Sequence, residues 1–202
     1  MPQSSPSLSL PNMLTVGRIL AIPVIVLLIF SGVPLLRWLA LILFIVAAIT
    51  DLFDGLLARM LGQTSDLGRM LDPIADKLLV AALLLTFAFD RSFTLFDLIP
   101  AFAILLREIF IAGLREFLGE RQVVLHVSLL AKYKTTIQLI ALGLVLAEPL
   151  LPGIRYIADA GLWIAAILTV WTGYSYWQAA WPHFNAAPVS QPVVDPEADI
   201  QE

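Results

Sequence analysis

The chain has no cysteine, which excludes disulfides and thiolate metal sites and leaves the redox compartment unreadable. It has two histidines, His126 and His183. Each is isolated near an expected helix end, which suits a surface position better than metal ligation. Charge is also scarce. Only 14% of the 202 residues are charged, whereas a soluble domain carries about 25%. With 59% hydrophobic residues and a mean hydropathy of +0.89, the composition excludes a soluble domain and predicts an integral membrane protein. No nucleic-acid partner is expected. The start lacks the basic n-region of a signal peptide, and Ser31-Gly32-Val33-Pro34 is a poor cleavage site, so the first apolar run reads as a retained helix. Beyond Trp181 there is no Lys or Arg, and the 21 residues carry four prolines and four acids. Residues 182–202 are expected to be a disordered, solvated tail.

What is present is a series of apolar stretches near the roughly 20 residues needed to cross a bilayer. They run approximately Asn12–Phe30, Pro34–Met60, Gly68–Phe89, Phe93–Leu118, Leu129–Ala147 and Tyr156–Ala180. Turn residues separate them: Ser31-Gly32, Gly62, Asp90-Arg91-Ser92, Gly119-Glu120, Pro149 and Pro152-Gly153. The expected fold is all-α, with about six transmembrane helices. Residues 12–181 form the helical domain, behind a flexible or interfacial segment, 1–11. On this plan Arg18, Arg59, Arg69, Lys77, Arg107, Arg115, Arg121, Lys132 and Lys134 lie on the side of the termini, against Arg37, Arg91 and Arg155 opposite. That bias predicts cytoplasmic termini.

Into this apolar background the chain sets Asp51-x-x-Asp54-Gly55-x-x-Ala58-Arg59, eight further residues, then Gly68-x-x-x-Asp72-x-x-x-Asp76. A helix turns by about 100° per residue, which places Asp54 at roughly −60°, Gly55 at roughly +40° and Arg59 at roughly +80° from Asp51. Gly68 and Asp76 flank Asp72 at roughly 40° on either side. Two short-linked antiparallel helices therefore carry stripes able to face each other. Converging carboxylates repel in a low dielectric and must protonate or bind cations. Aspartate oxygens are hard ligands suited to Mg²⁺ or Mn²⁺. Four can hold two ions about 3.5–4 Å apart, as in two-metal sites acting on phosphates. Gly55, Ala58 and Gly68 leave a groove, and Arg59 offers a fork for phosphate oxygens. The plainer alternative, polar contacts that merely tie a bundle together, fits one buried aspartate far better than four at these intervals. Lys77 reads as a neutraliser of Asp76 or a snorkelling side chain.

At these residues the sequence resembles the CDP-alcohol phosphatidyltransferase family, whose signature D-x-x-D-G-x-x-A-R-x8-G-x-x-x-D-x-x-x-D is met at every fixed position. The resemblance implies transfer of a phosphatidyl group from a CDP-linked lipid to an alcohol with release of CMP. It also implies six transmembrane helices, divalent metal and a homodimer. It assigns Asp51, Asp54, Asp72 and Asp76 as ligands to two cations, Mg²⁺ or Mn²⁺, with Asp76 also the general base. It places Gly55, Ala58, Arg59, Ser65 and Gly68 around the CDP-lipid. Asn12 and Thr15, in Pro11-Asn12-Met13-Leu14-Thr15-x-x-Arg18, are similar to the family's entry to its first helix beside the nucleotide; the same residues equally suit a simple helix cap.

The acceptor alcohol is legible elsewhere. Arg107-Glu108 and Arg115 on the fourth helix, and Lys132-Tyr133-Lys134-Thr135-Thr136 with Gln138 on the fifth, would present cations and hydroxyls toward the aspartates. A cationic pocket calls for an anionic acceptor; the plainer reading is a positive-inside flank. These stretches, with Leu71-Asp72-Pro73-x-Ala75-Asp76-Lys77, resemble the phosphatidylglycerophosphate synthase branch of the family. The implied substrates are CDP-diacylglycerol and sn-glycerol 3-phosphate, the latter held by Arg107, Arg115, Lys132, Lys134 and Thr135. The alternatives are another acceptor, such as inositol phosphate or serine, and a divalent-cation transporter. A transporter would spread its acids along a path through the bilayer, whereas these cluster at one end. A six-span chain without a transit peptide favours a bacterial inner membrane, with the site facing the cytoplasm. Trp163, Trp171, Trp177 and Trp181 suit an interfacial or dimer-facing role.

Overall fold

A computed structural model describes residues 10–61, 66–121, 123 and 129–184; the side chains of 10–11, 52–61, 66–67, 69, 120 and 129–132 lie outside that description. The described residues form six α-helices and no strand. They are α1 (Leu10–Phe30), α2 (Pro34–Leu61), α3 (Asp66–Phe89), α4 (Leu95–Glu120), α5 (Leu129–Ala147) and α6 (Arg155–Ala180). The all-α expectation holds, with boundaries shifted by one or two residues. Asn12–Phe30, Pro34–Asp51 and Arg155–His183 are long and apolar enough to cross a membrane. Helices α3, α4 and α5 carry most of the ionisable residues singled out above.

The turns follow from local chemistry. Between α1 and α2 the chain reverses at Gly32, whose φ of +67° is costly for a residue with a Cβ. Pro34 then opens α2, where its missing N–H is no loss. Thr94 caps α4: its N–H and hydroxyl both donate to the Asp97 carboxylate, at 2.7 and 2.6 Å. Proline interrupts α1, α3 and α4 internally at Pro23, Pro73 and Pro100 without ending them. Neighbouring helices make such freed carbonyls tolerable in membrane helices.

The helices pack as two triplets. Helix α1 lies along both α2 and α3, and α6 lies along both α4 and α5; contacts between the triplets, α2 with α5 and α3 with α4 and α5, are sparser. Small residues allow close approach: a Cβ placed on Gly161 of α6 would already be in van der Waals contact with the Cβ of Ala141 of α5. The core joining the triplets includes Phe44, Leu83, Phe87, Ile104, Leu142, Leu146 and Leu162.

Arg37 ties this seam at one end. Its Nε donates to the Leu146 carbonyl at 3.0 Å, Nη1 to Asp90 at 2.8 Å and Nη2 to the Ser92 hydroxyl at 2.7 Å. One side chain thereby links α2, the end of α5 and the α3–α4 turn. Sequence alone reads Arg37 only as an outside charge. Arg37→Met leaves the Asp90 carboxylate buried without its cation, which costs about 3 kcal/mol or more. The expected result is a clearly lowered thermal midpoint in detergent; an unchanged midpoint would contradict the clasp.

Candidate active site

The first wall of the site is built by α1, α2 and α3. Asn12, Thr15 and Arg18 recur every three residues on α1 and are buried, so one helix face is turned inward. The Thr15 hydroxyl donates to Asp72 Oδ1 at 2.7 Å. Arg18 Nη1 lies 2.5 Å from Asp51 Oδ1 and 3.2 Å from Asp76 Oδ1. Its side chain is 1% exposed, while those of Asp51 and Asp76 are 23% and 47% exposed. A guanidinium sunk behind the carboxylates thus leaves their outer sides open to the cavity. Gly68, one turn before Asp72, is buried, and Lys77 donates to the Pro73 carbonyl at 3.2 Å.

Asp51, Asp72 and Asp76 line a cavity of about 880 Å³. Its opposite wall carries Arg107, Glu108 and Arg115 of α4 and Lys134, Thr135, Thr136 and Gln138 of α5. The two groups of residues singled out in the sequence therefore face one another across a single space. It lies between the triplets, on the seam, and apolar residues such as Leu41, Phe44, Ile45 and Ile49 extend it along α2.

The second wall is held by an ionic relay. Glu108 pairs with Lys134 and lies 3.5 Å from Arg107 Nη1. Arg107, Arg115 and Lys134 outnumber Glu108 by three charges to one, so the wall is net cationic. Behind it stands α6. Arg107 Nη2 donates to the Thr172 hydroxyl at 3.2 Å, and Arg115 Nη2 donates to the Tyr176 hydroxyl at 2.9 Å. Both guanidinium groups lie over the Tyr176 ring, at 5.8 and 5.1 Å from its centre, within cation–π range. Gly173 admits the Arg107 stem: a Cβ there would meet Arg107 Cγ at 3.0 Å.

Sequence reasoning passed over three contributors. Arg18 was counted as a topogenic cation, although its spacing from Thr15 on an apolar helix was a readable sign. Thr172 and Tyr176 gave no sign, because their role depends on which helices become neighbours. Asp54, Gly55, Ala58 and Arg59 lie on the last turns of α2 and Lys132 on the first turn of α5, with side chains outside the description. Ser65 and His126 lie outside the described residues. His183 is in a 3₁₀ turn that closes α6, where its carbonyl accepts from Arg121 at 2.8 Å. Trp177 packs against Phe110, Trp181 and Phe184, and Trp171 is exposed.

Among the described residues no three acids are grouped as ready metal ligands. The donor chemistry nevertheless fits divalent cations. Asp72 meets only the neutral Thr15 hydroxyl among the described residues, and no cation there pairs with it. Asp51 and Asp76 share one guanidinium. Hard oxygen donors with this surplus of negative charge, open to a cavity, are what Mg²⁺ or Mn²⁺ takes.

Residues 8–171 match the CDP-alcohol phosphatidyltransferase family. The chain is 45% identical over 179 residues to a CDP-diacylglycerol–glycerol-3-phosphate 3-phosphatidyltransferase of Rickettsia bellii, covering 87% of this chain and 97% of the relative. It is 38% identical to the protein of that name from Cereibacter sphaeroides, over 88% of this chain and 97% of the relative. The Shigella flexneri protein of the same name is 37% identical, over 85% and 94%. A cavity with carboxylates on one wall and cations on the other agrees with that likeness, and the chain belongs to the CDP-alcohol phosphatidyltransferase family.

Proposed function

We propose that the protein transfers the phosphatidyl group of CDP-diacylglycerol to sn-glycerol 3-phosphate, giving phosphatidylglycerol phosphate and CMP. The observation that carries this reading is the single cavity shared by Asp51, Asp72 and Asp76 and by Arg107, Arg115 and Lys134. An anionic alcohol needs the second wall, and a nucleotide-linked lipid needs the first. The names of the relatives point to the same substrates.

In this proposal Asp51, Asp54, Asp72 and Asp76 hold two divalent cations, Mg²⁺ or Mn²⁺. Such ions, when bound, neutralise charge on the pyrophosphate and on departing CMP. Asn12, Thr15, Gly55, Ala58, Arg59, Ser65 and Gly68 surround the CDP-lipid. Its acyl chains remain among the apolar residues of α2 that line the cavity. Arg107, Arg115, Lys132, Lys134 and Thr135 hold the acceptor's phosphate, so that its primary hydroxyl is turned toward α3. Asp76 takes the hydroxyl proton. The oxygen attacks the phosphorus that bears the diacylglycerol, a new P–O bond forms, and the P–O bond to CMP breaks. The chain is proposed to span the inner membrane of a bacterium six times, with cytoplasmic termini and site, and to act as a homodimer.

The test is an acceptor panel in detergent with CDP-diacylglycerol and a divalent cation. Labelled glycerol 3-phosphate is expected to enter lipid with equimolar CMP release, and inositol phosphate and serine are not. Preferred labelling by either of the latter would replace the acceptor. No CMP release with any acceptor would favour an ion-handling role for the acidic wall.

A further inference from the structure

One polar side chain of the cavity has no task in the reaction as written. Gln138 lines the cavity, is 2% exposed, and its carboxamide oxygen accepts no hydrogen bond among the described residues. A buried acceptor left without a donor costs about 1–3 kcal/mol, so such a group on a cavity wall calls for a ligand. Gln138 lies four residues beyond Lys134 on α5 and therefore on the same face, one turn farther from the helix start. The chemistry of what it meets is constrained. A phosphate offers only acceptors and cannot satisfy a carbonyl oxygen, whereas a hydroxyl can donate to it. Arg107 Nε, on the facing α4, is the complementary case: a buried donor that meets no acceptor among the described residues. One cavity thus holds an unmet donor beside the cationic group and an unmet acceptor one turn from Lys134, a pattern that suits a phosphorylated polyol.

We infer that Gln138 is the specificity-determining residue that accepts a hydrogen bond from the unreacted C2 hydroxyl of the acceptor, so that the enzyme distinguishes a diol phosphate from a simple hydroxyalkyl phosphate. The inference rests on the glycerol 3-phosphate reading above. In that reading the primary hydroxyl gives its proton to Asp76, and the C2 hydroxyl is the remaining donor. Sites that hydrogen-bond a substrate hydroxyl with a buried group discriminate strongly against analogues that lack it.

The test compares sn-glycerol 3-phosphate with 3-hydroxypropyl phosphate, which lacks only the C2 hydroxyl, in the intact protein with CDP-diacylglycerol. The native protein is expected to prefer the diol by roughly 100-fold in kcat/KM, the scale of a lost hydrogen bond to a buried acceptor. Gln138→Met keeps the length of the side chain and removes the acceptor. It is expected to reduce that preference to below about tenfold, by lowering use of the diol and leaving use of the deoxy analogue and the KM for CDP-diacylglycerol near native. Comparable native use of both acceptors overturns the inference without any variant and leaves the proposed function intact. A Gln138→Met protein with the native preference ratio also overturns it. If neither acceptor supports CMP release, the proposed function itself fails, and the inference with it.

Discussion

Asp76→Asn is expected to reduce kcat by about 1,000-fold or more while CDP-diacylglycerol still binds. Asp76 is the most open of the three aspartates that line the cavity, with 47% of its side chain exposed. It stands one helical turn beyond Asp72, whose Oδ1 already accepts from Thr15. An amide in its place has nearly the same shape and can still accept from Arg18, which lies 3.2 Å from the carboxylate. What it cannot do is take a proton from an alcohol. The expected signature is therefore a loss in turnover with lipid affinity changed only a few-fold. Binding of CDP-diacylglycerol, followed by calorimetry or by protection against thermal unfolding, separates the two. Turnover within tenfold of native would remove Asp76 as the base. Loss of lipid binding equal to the loss of turnover would make it a ligand alone.

Arg107→Leu is expected to raise the KM for glycerol 3-phosphate roughly 100-fold and leave that for CDP-diacylglycerol unchanged. Hydrogen bonds to charged groups contribute about 1.5–3 kcal/mol each, and about 2.7 kcal/mol corresponds to that factor. Arg107 is held from behind by Thr172 and the Tyr176 ring and from the side by Glu108, so little freedom is lost when phosphate binds. Lysine is not an adequate substitute, since it lacks the planar fork and the stacking surface. Steady-state kinetics with each substrate varied in turn decides the matter. A rise in both KM values by the same factor would mean that the variant has disturbed the fold rather than the acceptor wall.

Much of this molecule is legible in its sequence. The six helices announced themselves because apolar runs near bilayer length are separated by glycine, proline and acidic turns, and such turns have few alternative uses. The aspartates were readable because charge on an apolar helix is expensive and its spacing reports the helical face. The limits were equally physical. Arg18 resembles a basic flank of a membrane helix; its shared face with Thr15 hints at more, and its contact with Asp51 and Asp76 gives the role. In the sequence Arg37 is a topological charge, while its three hydrogen bonds make it a structural tie. Thr172 and Tyr176 belong to a helix whose sequence carries no charged motif of the site. Their service to Arg107 and Arg115 arises from the packing of α6 on α4, a pairing that no local pattern encodes.

The Arg37 clasp has a mechanical consequence. It sits 14 residues before Asp51 on α2, about 20 Å along the helix axis, at the end of the seam remote from the chemistry. The two triplets are therefore pinned at one extremity and lined with ionic groups toward the other, in the manner of a clothes-peg. Any widening of the seam where a lipid headgroup enters would stop at this pin rather than run down the length of the molecule.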